Sequence, residues 1–324
     1  MASSPISPLQ DDTLRVHAFQ STVPGPRLIV LGGVHGNETC GTAGIERVLS
    51  HFDRGELQLR CGQLTMVPVA NPLARRLGTR EGERNLNRLF QPTDAPVDHE
   101  ARITNLLCPL LAAHDVLLDL HSFQSDGEAF AMIGPRDNDG PLEPFARAVE
   151  EGRLALHIGT PRVVEGWLDI YAASLAQRAG GAAPDDAALA VGWGTNEYMR
   201  SRGGYGVTLE CGQHEDPAAP QVAHDAILSA LRLLGMIDAP ADAAPPPQPA
   251  LLRLVSVTDR AHDGDQFVRE WATFDAVANG EPIGVRDDGT VVRAEGDGFI
   301  VFPNPAALAG TEWFYFAVAS DRLL

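Results

Sequence analysis

The chain contains no lysine; all 25 of its basic residues are arginine. Without a lysine amine there is no Schiff-base chemistry, no lysine nucleophile and no lysine-dependent phosphate loop. A coding bias towards arginine accounts for the absence equally well. Cysteine is scarce. Cys40, Cys61, Cys108 and Cys211 are widely spaced and none forms a C-x-x-C pair, so neither a zinc ribbon, a thioredoxin-like motif nor a disulfide scaffold is indicated. No apolar run reaches about 18 residues, which excludes a membrane-spanning helix. The N-terminus, MASSPISPLQDD, lacks a basic region followed by an apolar stretch. No signal peptide is therefore expected, and a reducing cytoplasm is the simplest compartment. Positive charge is also in deficit: 43 acidic residues against 25 basic leave a formal net charge of −18. Such a surface repels nucleic acid and anionic membranes.

What remains is a globular composition. With 324 residues, 44% of them apolar, the chain can bury a sizeable core and is long enough for two domains. Residues 27–31 (RLIVL), 63–69, 115–120 and 206–210 read as buried strands, with 129–134 a further candidate. Helical spacing marks 38–52, 100–113, 141–152, 168–180 and a stretch around Val222–Leu234. Strands alternating with helices predict an α/β fold, a mixed, mostly parallel sheet flanked by helices, over residues 1–240. A Pro/Ala-rich stretch at 241–249 reads as a linker. Residues 250–324, with Asp-Gly turn signals and alternating apolar residues, read as a small all-β domain.

Three polar motifs fall at or just after predicted strand ends, where α/β sheets bind ligands. In GGVHGNE, His35 and Glu38 stand three apart at a strand-to-helix turn, a spacing that lets an imidazole and a carboxylate converge on a metal. A solvated turn with an incidental histidine has the same pattern. In DLHS, strand alternation puts Asp119 and His121 on one face. His121 is then a candidate third ligand, with Asp119 either orienting it or simply ending a polar strand. In TLECG, Glu210 closes an apolar strand. Burial there suits a general base, and an ordinary salt-bridged glutamate fits as well. The stretch LARRLGTREGERNLNR offers guanidinium forks for a carboxylate, or a solvated loop.

GGVHGNE, Asn71-Pro72, Arg80, NLNR at 85–88, DLHS at 119–122 and LECG at 209–212 occur in the order and approximate spacing of the succinylglutamate desuccinylase and aspartoacylase family. That family lies within the zinc-carboxypeptidase superfamily. The resemblance covers residues 25–240 by motif, and the β-rich tail is similar to the family's second domain. It implies one zinc ion held by His35, Glu38 and His121, with Glu210 as the base and Arg80 stabilising the oxyanion. Asn87, Arg88 and Arg200 would bind a small anionic N-acylated substrate. Two departures stand out: Asn85 replaces the aspartate of a DLNR pattern, and Leu308 lies near the place of a substrate-contacting tyrosine, with Tyr315 an alternative. Two other readings stay open, a carboxypeptidase acting on peptides and a non-catalytic metabolite-binding relative. A two-histidine, one-carboxylate set also suits iron(II). The acyl group, the amine and the oligomeric state are not readable from the sequence.

Overall fold

The computed structural model describes residues 13–239 and 248–324. Most of the expected linker falls outside the described residues. In chain order the elements are β1 (His17–Gln20), β2 (Arg27–Leu31), α1 (Cys40–Asp53), β3 (Gln63–Val67), α2 (Pro72–Leu77), α3 (His99–Ala112), β4 (Val116–Phe123), β5 (Phe130–Met132), α4 (Ala148–Ile158), β6 (Arg162–Glu165), α5 (Trp167–Arg178), α6 (Asp186–Val191), α7 (Thr195–Ser201), β7 (Tyr205–Gln213) and α8 (Ala219–Leu233). Beyond residue 248 come β8 (Ala250–Asp259), β9 (Gln266–Phe267), β10 (Ala276–Val277), β11 (Pro282–Val285), β12 (Val291–Arg293), β13 (Gly298–Val301) and β14 (Glu312–Ala319).

The fold is the expected mixed α/β sheet flanked by helices. Eleven strands run in the order β1-β3-β2-β4-β7-β5-β6-β8-β14-β13-β10, and β12-β11-β9 form a separate three-stranded sheet. At the centre, β2, β3, β4 and β7 are parallel, while β5 runs antiparallel to β7. β4 is buried along its whole length, as a central parallel strand covered on both faces must be. Leu28, Val30, Leu118, Val207 and Leu209 pack with Ile45, Val48 and Ile227 of α1 and α8 on one face. Ile29, Leu31 and Leu117 meet Ile103, Leu107 and Leu111 of α3 on the other.

The C-terminal strands do not stand apart from this sheet. β8 pairs in parallel with β6, Arg162 opposite Ala250, and carries β14, β13 and β10 onward. Phe123, Phe130 and Val164 share a core with Leu252, Phe274, Val301 and Tyr315 across the expected domain boundary. The helix expected at 141–152 begins only at Ala148. The residues before it form a bridge between Asn138 and Phe145.

Candidate metal centre and active site

His35 and Glu38 lie in the turn between β2 and α1. Two glycines make that turn possible. Gly33 has φ +57°, and a Cβ on Gly36 would lie 2.0 Å from the backbone of Ala74 in α2. His121 lies on β4, one strand over. The three side chains meet: His35 Nδ1 is 2.8 Å from Glu38 Oε1, His121 Nδ1 is 2.9 Å from Glu38 Oε2, and the two Nδ1 atoms are 3.2 Å apart. All three are at most 2% exposed.

The outer faces of both rings are held. His35 Nε2 lies 3.1 Å from Asn85 Oδ1. That Oδ1 also accepts the Asn87 backbone N–H at 2.9 Å, which identifies it as the amide oxygen and makes His35 Nε2 the protonated nitrogen. His121 Nε2 lies 3.0 Å from Asp119 Oδ2, an ion-pair contact bent away from hydrogen-bond geometry. Asp119 Oδ2 in turn accepts from the Thr195 hydroxyl. Both rings thus turn Nδ1 towards Glu38. Burial lowers the His35 pKa to about 4, which favours the neutral ring a ligand requires. Burial also pulls His121 down, but Asp119 and Glu38 outweigh it and hold that ring well above its usual value. For Glu38, burial alone would push the carboxyl up; His35 and His121 outweigh it and hold it well below the usual range. This donor set fits a divalent ion. Ligand atoms bonded at about 2.0–2.1 Å in a tetrahedron lie about 3.3 Å apart, close to the separations here, and the second ring nitrogens are oriented by an amide and a carboxylate.

Glu210 lies on β7 directly opposite His121 in the parallel pairing of β4 and β7. It is 8% exposed, and its Oε2 has no hydrogen-bond partner among the described residues. Burial, followed by the proximity of Glu38, raises its carboxyl to about 8, against the pull of His121 and Arg80. A cavity of about 610 Å³ joins these groups and is lined by His35, His121, Glu210, Arg80, Asn87 and Arg88, among others.

The arginine-rich stretch is shaped by a residue that the sequence did not single out. Glu100, fully buried in the first turn of α3, accepts the backbone N–H groups of Gly82, Glu83 and Arg84 and the Asn71 amide. The resulting loop sets Arg80 Nη1 2.9 Å from Glu38 Oε1. Asn87 Oδ1 accepts the Thr195 N–H at 2.9 Å, which leaves its Nδ2 as a donor. Arg88 lies over the Trp167 ring at 5.1 Å and bonds only the Asn87 carbonyl among the described residues. His214 also faces the cavity and meets the Ser122 hydroxyl at 2.9 Å. Nothing in the sequence marked it, because it lies past the LECG motif on the loop after β7.

Arg200 lines the same cavity, yet its guanidinium is turned into the protein. It donates to Glu151 at 2.9 and 3.2 Å, to Glu143 at 2.7 Å and to the Gly206 carbonyl at 3.2 Å, and Glu197 is 3.6 Å away. The structure therefore does not present it as a free anion binder. The connection between β13 and β14 supplies Phe302, Pro303, Asn304 and Thr311 to the cavity wall, and β14 supplies Glu312 and Tyr315. Tyr315 is in that wall and Leu308, 72% exposed, is not.

Residues 24–151 match the succinylglutamate desuccinylase/aspartoacylase catalytic domain. Over 82 residues the chain is 35% identical to a succinylglutamate desuccinylase of Pseudomonas syringae pv. tomato and 37% identical to one of Burkholderia mallei. These alignments cover 25% of this chain and 24% and 23% of those proteins. The chain thus aligns with about a quarter of the length of the curated relatives it matches. The fold is shared more widely. A succinylglutamate desuccinylase/aspartoacylase from Rhodobacter sphaeroides superposes with a TM-score of 0.71 at 17% identity, over 95% of this chain and 90% of that one. The product-bound ectoine utilization protein EutE (DoeB) of Ruegeria pomeroyi gives 0.70 at 19% identity, over 94% and 88%. By these matches residues 24–151 are similar to the catalytic domain of the succinylglutamate desuccinylase/aspartoacylase family.

Proposed function

We propose that the protein is a zinc-dependent amide hydrolase that removes an acyl group from a small N-acylated amine bearing a carboxylate. The observation that carries this reading is the convergence of two imidazole Nδ1 atoms and Glu38 beside a buried, unpartnered oxygen of Glu210. His35, Glu38 and His121 would hold the ion. When bound, it supplies a Lewis acid and lowers the pKa of a water molecule towards about 7.

The remaining work falls to the chain. Glu210 accepts the proton of the attacking water on its unpartnered oxygen and delivers it to the leaving nitrogen. Arg80 neutralises charge that develops on the carbonyl oxygen, so it acts on the transition state more than on binding. The Asn87 amide and the Arg88 fork hold the substrate carboxylate. Asn85 and Asp119 keep both rings turned towards the ion. A cavity of about 610 Å³ walled by the C-terminal strands has the size of a small-molecule site, which favours a small acylated metabolite over a long peptide.

The test is a screen of N-acetyl and N-succinyl amino acids with zinc-loaded protein. Release of the free amine by the wild type, and its loss in Glu210→Gln, is expected. Stepwise shortening of a peptide from its C-terminus, with no acylated amino acid cleaved, would replace this reading by a carboxypeptidase.

A further inference from the structure

The charges on the cavity wall restrict which substrate can be held. Three arginines line it, Arg80, Arg88 and Arg200. The donors of Arg200 are directed to Glu143, Glu151 and the Gly206 carbonyl, and three buried carboxylates surround its single positive charge. Arg80 faces Glu38. Arg88 is left as the guanidinium to meet a substrate carboxylate beyond the reacting centre.

On the same wall Glu312, at the start of β14, is half-buried and its carboxylate has no hydrogen-bond or ion-pair partner among the described residues. Arg178, which lines a small adjoining cavity with Glu312, is committed to Asp259 at 2.7 to 3.0 Å. Glu312 shares that wall with the rings of Trp167 and Tyr315, whose centroids are 5.5 Å apart. Burial raises the Tyr171 and Tyr315 hydroxyls, Glu312 raises them further, and Arg88 pulls them down. Glu312 and Arg88 therefore act on the same two tyrosines with opposite sign.

We propose that Glu312, Trp167 and Tyr315 form a subsite for a positively charged group, so that the substrate is an N-acylated amine with one carboxylate and one cation, such as an N-acylated basic amino acid, and not an N-acylated dicarboxylate. This rests on the hydrolase reading above. A carboxylate without a protein partner accepts an ammonium. A second substrate carboxylate would instead meet Glu312 and Glu197 on the wall, with no free guanidinium to neutralise it, and like-charge contact is an effective means of rejection.

The experiment uses the full chain with zinc and a matched series: Nα-acetyl derivatives of ornithine, norvaline and glutamate, whose side chains end in an ammonium, a methyl and a carboxylate. Hydrolysis is followed in the wild type, and binding is followed by calorimetry in Glu210→Gln. The ornithine derivative should exceed norvaline, and norvaline glutamate, each by about tenfold in kcat/KM and in affinity. Glu312→Gln should shrink the ornithine-to-norvaline ratio about tenfold, and Glu312→Lys should reverse the order of ornithine and glutamate. The proposal is overturned if the glutamate derivative is bound as well as the ornithine one, or if none of the three binds. It also falls if Glu312→Gln shifts all three by one factor, as a mere counter-ion of Arg88 would. Preferred binding of the ornithine derivative without hydrolysis of any would support the subsite and overturn the hydrolase reading instead.

Discussion

At the scale of single residues, neighbouring side chains carry separable tasks in the proposed hydrolysis. Glu210→Gln removes the proton acceptor and keeps the oriented ligands, so kcat should fall about 10²–10⁴-fold while the bound ion stays. Arg88→Ala removes a contact made to the bound substrate, so KM should rise with a smaller effect on kcat, read from initial rates over a substrate series. Asn85→Ala leaves His35 Nε2 without its acceptor and should weaken ion affinity about 10–100-fold, measured by chelator competition. The places of His35, Glu38, His121 and Glu210 could be read from the sequence because the first two sit in the turn between an apolar strand and an amphipathic helix and the other two on apolar strands. Arg200 could not. Its spacing from Glu210 pointed to the substrate, but the carboxylates that capture it, Glu143 and Glu151, lie 57 and 49 residues away, and no local pattern reveals such a partner.

At the scale of elements, α7 illustrates why some of the fold was hidden. TNEYMRS buries Thr195, Asn196, Glu197 and Arg200, the reverse of the polar-outside pattern by which helices are recognised. Ions and hydrogen bonds hold it alongside the apolar packing of Tyr198 and Met199. The long elements α1, β4 and α8 were legible because their apolar period is strong; the four-residue strands β1 and β6 were too short to show one. Arg200 links α7 to α4 through Glu151 and to the 138–145 bridge through Glu143. With three carboxylates around one guanidinium, burial prevails over Arg200 at Glu143 and raises its carboxyl to about 7. A carboxyl whose folded pKa exceeds its unfolded value stabilises the fold fully below about 4.5, and that stabilisation is lost as pH rises through about 7. The melting temperature should therefore fall over that window, and Glu143→Gln should flatten the fall. Arg200→Leu leaves buried carboxylates unpaired and should cost about 3–5 kcal/mol in urea unfolding.

At the scale of the whole molecule, the sequence reads as two parts joined by a linker at 241–249, because proline-rich composition and short alternating strands look like a boundary and a separate unit. Backbone pairing joins the two parts: β8 takes its register from β6, and aromatic residues of both share one core. The sheet's continuity predicts a single cooperative unfolding transition by calorimetry; two separated transitions would restore the boundary as an energetic one. The same continuity brings Glu312 and Tyr315 to the cavity lined by His35 and His121, far earlier in the chain.

The central claim, that His35, Glu38 and His121 form the one ion site on which hydrolysis depends, is tested most directly by metal analysis. After loading with zinc and removal of excess, the wild type and Glu210→Gln should each retain one ion per chain, and His35→Ala/His121→Ala none. Full ion content in the double histidine variant, or an active wild type that retains no ion, would contradict it.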